Sequence, residues 1–151
     1  MALRDILRRH EFTRGLTEAQ IASLAATASE ASFEEDDIVL EEGERSRAFY
    51  LVTEGSVTVE LRAPRYVVVV QAVESGQAFG WSALLDRQDT VFRVRAREHT
   101  RALRLEGEAL KALCRQDPVL GVELLHRTLA LVAGRVKATE LRFAEMCGVR
   151  V

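Results

Sequence analysis

The feature that most limits the fold is a series of short β-type runs between residues 32 and 106. They span residues 38–40, 49–53, 56–61, 67–73, 91–96 and 100–105, and glycine or charged clusters separate them. Most gaps are too short to hold a helix, which argues against a parallel α/β sheet. The pattern therefore predicts a mainly β fold, a barrel or jelly roll, with flanking helices.

Apolar and polar residues alternate within two of these runs. The apolar set is Val57, Val59, Leu61, Phe92, Val94 and Ala96, and the polar set is Thr58, Glu60, Arg62, Arg93, Arg95 and Arg97. Because successive side chains of a strand point to opposite faces, this pattern predicts strands with one buried face and one face in water.

Helical patterns flank the β region on both sides. Thr17 and Gln20 match a capping box before an apolar helical stripe. Residues 107–115 fit a short helix, and Asp117 followed by Pro118 predicts the start of a long one. We expect a single domain with an N-terminal helical segment at 1–31, a jelly roll at 32–106 and C-terminal helices at 107–151.

The long helix, 118–146, carries apolar residues at alternating spacings of three and four. This seam consists of Val122, Leu125, Leu129, Val132, Val136, Thr139, Phe143 and Met146, and a flanking stripe consists of Leu120, Leu124 and Leu131. Such a seam either packs inside the same chain or pairs with a second copy. A helix of about 25 residues spans about 40 Å, which exceeds the reach of a small barrel and favours a homodimer.

Composition and charge exclude several classes. The formal net charge of −2 provides no global positive field for nucleic acid or anionic membranes. No apolar run resembles a signal peptide or a membrane span, so we expect a cytoplasmic protein that does not insert into membranes. Cys114 and Cys147 form no CxxC pair and are expected to be free thiols.

Nothing in the sequence indicates an enzyme or a metal site. His10, His99 and His126 are isolated from one another, and no metal-ligand spacing or catalytic triad occurs. The acidic residues 34–37 lack the spacing of a calcium loop and predict a solvated hairpin face. We therefore expect no catalytic residues, no metal and no resident cofactor.

The segment 76–85 carries the functional signal. A strand ends at Phe79 and Gly80, and the short helical turn Trp81-Ser82-Ala83-Leu84 follows. Backbone N–H groups in such a turn are suited to hold a small anion. The segment continues through Thr90 and Val91 into the run 91–96.

Three segments together resemble the cyclic nucleotide-binding domain of the cyclic-AMP receptor protein (CRP/FNR-like) family. They are residues 12–16, the hairpin 43–59, and the cassette from Phe79-Gly80 to Val94-Arg95-Ala96. The resemblance covers nearly all of the chain. It implies a jelly roll, a phosphate-binding cassette and a dimer formed by the last helix. Some bacterial single-domain relatives similarly carry Phe-Gly-Trp-Ser here, which implies a stand-alone variant.

The cassette departs from the family pattern at two positions. Where the family has a ribose-binding Glu and a phosphate-binding Arg, this sequence has Trp81 and Thr90, and Asp89 precedes the latter. Losing the charge-assisted pair costs about 1.5–3 kcal/mol, so ordinary cyclic-AMP affinity is expected to fall at least about tenfold. Arg87 and Arg93 are the nearest candidates to replace the missing phosphate-binding Arg. Arg87, in the cassette loop, is the better candidate, whereas Arg93 is expected on a solvated face.

The predicted ligand-binding set is Phe79, Gly80, Trp81, Ser82, Ala83, Leu84, Arg87, Thr90 and Val91. Trp81 is interpreted either as a plug that fills the sugar site or as a platform for a planar ligand. In the family's transcription factors a DNA-binding module follows the long helix, and this chain ends soon after Met146, so we expect no direct DNA binding.

Two functional hypotheses follow. The first is a cytoplasmic homodimeric regulatory sensor that binds a cyclic nucleotide or other small anion weakly or with altered specificity. Its coupling hinge would lie at residues 106–118. The second is a ligand-free homodimeric interaction module in which Trp81 plugs the pocket. Either hypothesis leaves a protein partner unidentified.

Overall fold

Antiparallel strands form the body of the protein, and helices cover one side. The computed structural model describes residues 2–85 and 89–148. The helices are α1 (Leu3–Arg9), α2 (Glu18–Ala25), α3 (Gly107–Gln116) and α4 (Pro118–Met146), with 3-10 helices at Glu11–Thr13 and Trp81–Leu84. The strands are β1 (Ala28–Phe33), β2 (Ile38–Leu40), β3 (Ala48–Glu54), β4 (Ser56–Arg62), β5 (Val67–Glu74), β6 (Ala78–Phe79), β7 (Arg93–Ala96) and β8 (Thr100–Glu106).

The strands form two four-stranded sheets within the described residues. The first sheet has the order β1-β8-β3-β6 and the second has the order β2-β7-β4-β5. The ladders pair antiparallel, and neighbours such as β3 and β8 lie far apart in sequence. The predicted mainly β jelly roll with flanking helices is confirmed.

Strand β3 of the first sheet is packed on both of its faces. One face packs with the helices into an outer core whose buried members are Leu7, Ile21, Leu24, Phe49, Leu51, Ala78, Leu103, Leu105, Leu110, Leu120 and Leu124. The other face meets the second sheet in an inner core of Val52, Val57, Val59, Val73, Phe79 and Val94. Strand β3 contributes to both cores, so it fixes the helices and the second sheet relative to each other.

The predicted helix starts are confirmed. The Gln20 amide N–H donates to the Thr17 hydroxyl at 3.1 Å, and the Thr17 N–H donates back to the Gln20 side chain at 2.9 Å. At α4 the Asp117 carboxylate accepts the Leu120 N–H at 3.2 Å, and Pro118 is the first helical residue. In the described ranges no helix is long and apolar enough to cross a membrane.

Strand β1 is not among the predicted β runs, the first of which begins at residue 38. Residues 28–31, which the prediction assigned to the helical segment, pair with β8 from Ala28 opposite Leu105 to Ala31 opposite Ala102. The segment Ala-Ser-Glu-Ala-Ser-Phe has little β-branched character, and only its pairing with β8 makes it a strand.

The predicted wet face of β4 is also wrong. Thr58 is 5% exposed and Glu60 is fully buried. Arg93 is not a solvated face residue either, because its Nη2 lies 3.0 Å from Glu60 Oε1 and its side chain is only 15% exposed. The guanidinium of Arg95 lies 2.9 Å from Glu60 Oε2, and the Thr58 hydroxyl donates to the same oxygen at 2.6 Å.

This network keeps Glu60 ionised. Burial raises the pKa of the Glu60 carboxyl, but the hydrogen bonds from Thr58, Arg93 and Arg95 outweigh burial and hold the pKa below its ordinary value. Arg93 Nε is buried and finds no hydrogen-bond partner among the described residues. Both arginines are therefore engaged by Glu60 in the wall of the barrel.

Replacing Glu60→Gln should destabilise the protein. It removes the charge that two arginines share, and we expect a loss of about 2–3 kcal/mol, less than for a fully buried pair because Arg95 keeps contact with water. Chemical denaturation measures the loss. The control is Glu54→Gln, whose exposed carboxylate lies 3.8 Å from Arg101, with an expected change under about 0.5 kcal/mol.

Comparing the wild type with Glu60→Gln also gives a pH test. A carboxyl with a lowered folded-state pKa stabilises the fold above its ordinary pKa and loses that contribution as pH falls through the folded value. The wild type should therefore lose more free energy of unfolding than Glu60→Gln between about pH 5 and pH 3. Parallel acid profiles would contradict an ionised Glu60.

Candidate functional site

The cassette turn depends on one glycine. Strand β6 pairs with β3 through Phe79 opposite Tyr50, and Gly80 follows with φ of +84°. A Cβ at Gly80 would lie 2.6 Å from the Ala48 carbonyl oxygen, so a side chain there collides with β3. The 3-10 helix Trp81–Leu84 begins at once, which places its backbone at the edge of the first sheet.

Some predicted ligand residues belong to the cores instead of lining a cavity. Phe79 is fully buried and stacks on Tyr50 with ring centroids 4.8 Å apart and an interplanar angle of 11°. Ala83 is 5% exposed, and Leu84 packs against the outer core. These three residues hold the turn in place. Arg87 lies outside the described residues.

The other predicted residues come together around a cavity of about 130 Å³. Gly80, Trp81, Ser82, Thr90 and Val91 line this space, which we call the cassette cavity. Its remaining lining residues are Leu40, Asp89, Phe92, Val94 and Arg135. The sequence therefore identifies half of the residues around this cavity.

Thr90 is fixed by the turn that it forms. Its N–H donates to the Glu44 carbonyl at 3.0 Å, and its carbonyl accepts the Gly43 N–H at 2.7 Å. Its hydroxyl donates to the Phe92 carbonyl at 3.0 Å and accepts the Phe92 N–H at 3.2 Å. Thr90 lines the cassette cavity, but its hydroxyl oxygen already makes hydrogen bonds within the turn.

Trp81 lies between the cassette cavity and a second cavity of similar size. The second one, also about 130 Å³, is lined by Gln71, Val73, Gln77, Ala78, Trp81, Ala130, Leu131, Gly134 and Arg135. The indole is partly buried and packs against the outer core. Each cavity is smaller than the ~300–1,000 Å³ of ordinary small-molecule pockets.

Arg135 is the residue that the sequence reasoning missed. It lies on α4, and its guanidinium carbon is 5.9 Å from the Trp81 ring centroid and 5.6 Å from that of Phe92. Burial lowers the pKa of this guanidinium to about 10, so it remains charged at neutral pH. One signal pointed to it: Arg135 lies four residues after Leu131 and so continues the barrel-facing stripe of α4.

A larger cavity lies away from the cassette. It has about 620 Å³, is open, and lies beside the N-terminal helices and strands β1, β3 and β8, with arginines and glutamates both among its lining residues. Buried His10 forms part of it. Its Nδ1 accepts the Phe12 N–H, so its Nε2 donates to the Val52 carbonyl at 2.8 Å, and burial lowers its pKa. We interpret His10 as a neutral structural residue.

Within residues 2–85 and 89–148, no group of three metal-ligating side chains lies close enough to hold an ion. The acidic residues 34–37 are exposed, as predicted, and Glu34 lies 3.2 Å from His99. The cassette itself combines a small cavity with a glycine-dependent turn, two aromatic rings and one cation.

A sequence profile described as "Cyclic nucleotide-binding domain" matches residues 30–117, more than half of the chain. The chain belongs to this family. The match runs from β1 through the cassette to the start of α4. The membership agrees with the resemblance carried by the hairpin and the Phe79-Gly80 cassette.

Solved structures give the same fold. A protein assigned as cyclic nucleotide-binding from Geobacter metallireducens is 25% identical with a TM-score of 0.78, over 90% of this chain and 99% of that chain. The regulatory subunit of a cAMP-independent protein kinase A from Trypanosoma brucei is 24% identical with a TM-score of 0.70, over 83% of this chain and 47% of that chain.

One curated relative is a protein assigned as a potassium channel in Rhodopseudomonas palustris. It is 32% identical over 103 residues, which are 68% of this chain and 25% of the relative. The matched segment thus spans about a quarter of that relative's length.

Replacing Gly80→Ala should destabilise the cassette turn more than an equivalent change elsewhere. The control is Gly43→Ala, because Gly43 also has a positive φ of +79° but no atom within 4 Å of a new Cβ. We expect about 1–2 kcal/mol for the control from backbone strain alone and about 1–3 kcal/mol more for Gly80→Ala. Thermal and urea unfolding measure the difference, and equal losses would contradict the contact with Ala48.

Proposed function

We propose that this chain is a cyclic-nucleotide-binding-type regulatory domain that senses a small anionic ligand at its cassette and binds ordinary cyclic nucleotides weakly. One observation supports the proposal: the glycine turn at Gly80 lies beside a cavity that Trp81 and Thr90 line. By the family resemblance, Trp81 and Thr90 would occupy the positions of the ribose-binding Glu and the phosphate-binding Arg. Such a domain would act as a cytoplasmic sensor and not as an enzyme.

The size of the cavities supports altered binding. Trp81 and Arg135 together separate two spaces of about 130 Å³ each. A cyclic nucleotide has a base, a sugar and a phosphate, so it needs these two side chains to move before it enters fully. That movement lowers the observed affinity, because the binding-competent state is only partly populated.

The second candidate is a ligand-free interaction module in which Trp81 is a permanent plug. Its support is the packing of the indole against the outer core, where Leu131 of α4 also lies. In that case the surface of α4 would carry the function. The two candidates differ in whether Trp81 responds to an added nucleotide.

The wild type should bind cyclic AMP and cyclic GMP with dissociation constants at least about tenfold above those of an intact cassette. Trp81 is the only tryptophan, so its fluorescence reports on the cassette directly. Binding to the folded state also raises the melting temperature by mass action. No change in either signal at millimolar nucleotide would contradict nucleotide sensing and favour the plug.

A gain-of-binding variant makes this titration sharper. Trp81→Glu with Thr90→Arg restores the family's two charged side chains, and we expect at least about tenfold tighter cyclic-AMP binding. The matched control, Trp81→Gln with Thr90→Gln, opens similar space without the charges. Equal affinities of the two double variants would show that the missing charges do not limit binding.

We also propose that α4 forms a homodimer through the predicted seam. Val122, Leu129 and Phe143 are 69%, 64% and 69% exposed, while Leu120 and Leu124 of the flanking stripe are buried against the barrel. The apolar face therefore continues along the helix on the side away from the barrel. Its heptad spacing is that of a helix pairing with a copy of itself.

Val136→Glu with Phe143→Glu should convert the dimer into a monomer, because two charges enter an apolar seam. Sedimentation velocity or light scattering measures the change. Leu141→Glu is the control, since Leu141 is exposed on the same helix but outside the seam. If the double variant keeps the hydrodynamic mass of the wild type, the seam is not the interface.

A further inference from the structure

The side chain of Arg135 connects three separate parts of the protein. Its Nε donates to the Gln71 side-chain oxygen of β5 at 2.7 Å, and its guanidinium lies against Trp81 of the 3-10 helix and Phe92 before β7. Helix α4 thus places a cationic side chain in the region between the cassette and the second sheet.

Arg135 has no carboxylate partner among the described residues. Ion pairs engage many of the other arginines, including Arg93 and Arg95, but none includes Arg135. Burial is the sole cause of its lowered pKa, which agrees with the absence of an ion pair to this guanidinium. A half-buried cation without a counter-ion is unfavourable, and two ring faces and one amide oxygen compensate for only part of its lost hydration.

The position of this cation relative to the cavities indicates what it could bind. Arg135 and Trp81 line both cavities, and the cassette cavity also contains the turn residues Gly80 and Ser82. An anion in the cassette cavity would therefore lie between the turn and the guanidinium. Asp89 also lines this cavity, is exposed, and is the acidic group that would oppose such an anion.

We propose that Arg135 is the anion-binding cation of this site and that the ligand carries a phosphate group. The guanidinium comes from α4 and supplies the positive charge for the phosphate that Thr90, in the cassette, cannot supply. This rests on the proposed function, in which the cassette binds a small anion. The phosphate could be free or part of a nucleotide, because the chemistry that recognises it is the same.

The assignment also places ligand recognition on the helix with the seam. Arg135 precedes Val136, which belongs to the apolar seam and is 49% exposed. A ligand held by Arg135 would therefore restrain α4 directly. Coupling between the cassette cavity and the dimer interface would then require only this helix and no chain of intermediate residues.

The test compares four proteins by calorimetric titration: the wild type, Arg135→Gln, Arg135→Lys and the control Arg142→Gln. Arg142 lies on the same helix in an exposed pair with Glu145. The probes are cyclic AMP, inorganic phosphate and adenosine, which has the base and sugar without the charge. We expect Arg135→Gln to weaken binding of the two anions at least about tenfold and to leave adenosine unchanged.

Arg135→Lys should fall between the wild type and Arg135→Gln, because it keeps the charge but loses the planar fork. Arg142→Gln should match the wild type. The melting temperature of the ligand-free protein separates a structural role from binding. We expect Arg135→Gln to melt no lower than the wild type, since it removes an unpaired charge.

The outcomes distinguish this assignment from the proposed function. Phosphate binding that depends on Arg135, without cyclic-AMP binding, supports the assignment and rejects nucleotide sensing. Cyclic-AMP binding that is equally strong in Arg135→Gln overturns the assignment and leaves nucleotide sensing intact. A lower melting temperature in Arg135→Gln with unchanged anion binding also overturns it, and no anion binding by the wild type overturns both.

Discussion

The double burial of strand β3 is the constraint on which the rest of the structure depends. Its residues alternate between the outer core with the helices and the inner core with the second sheet, so the strand cannot shift by one residue without exchanging both sets. Strand β6 pairs with β3 through only two residues, Ala78 and Phe79. The stacking of Phe79 on Tyr50 strengthens this short pairing. The position of the cassette turn thus follows from the packing of β3.

The helices that follow the barrel are packed close to that turn. A Cβ at Gly107, the first residue of α3, would lie 3.0 Å from the Ala83 carbonyl oxygen, and one at Gly121 of α4 would lie 2.6 Å from the Cys114 carbonyl oxygen of α3. The 3-10 helix, α3 and α4 are therefore in contact through backbone atoms. Close packing at these two glycines leaves little room for the turn, α3 and α4 to shift independently there.

Local patterns in the sequence are enough to predict most elements, whereas the contacts between them are not. The capping box at Thr17 and the cap at Asp117 involve neighbours in sequence, and the structure confirms both. Strand β1 was missed because its pairing with β8 joins residues that lie 67 to 77 positions apart in the sequence. Glu60 was placed in water because alternation alone does not reveal that Arg93 and Arg95 cover it. Each error concerns a residue whose environment comes from a distant segment.

The candidate site has the same division between local and distant information. The residues from Gly80 to Val91 can be found from one segment, but Arg135 lies 54 positions after Trp81 and reaches the cavity only because Leu120, Leu124 and Leu131 seat α4 on the barrel. A phosphate site can exchange a cation from its own loop for one from a packed helix, since electrostatic attraction depends on distance and burial and not on the order of residues. Such an exchange alters regulation. A cation in the loop binds a ligand within the barrel, whereas a cation on α4 joins the ligand to the element that carries the apolar seam.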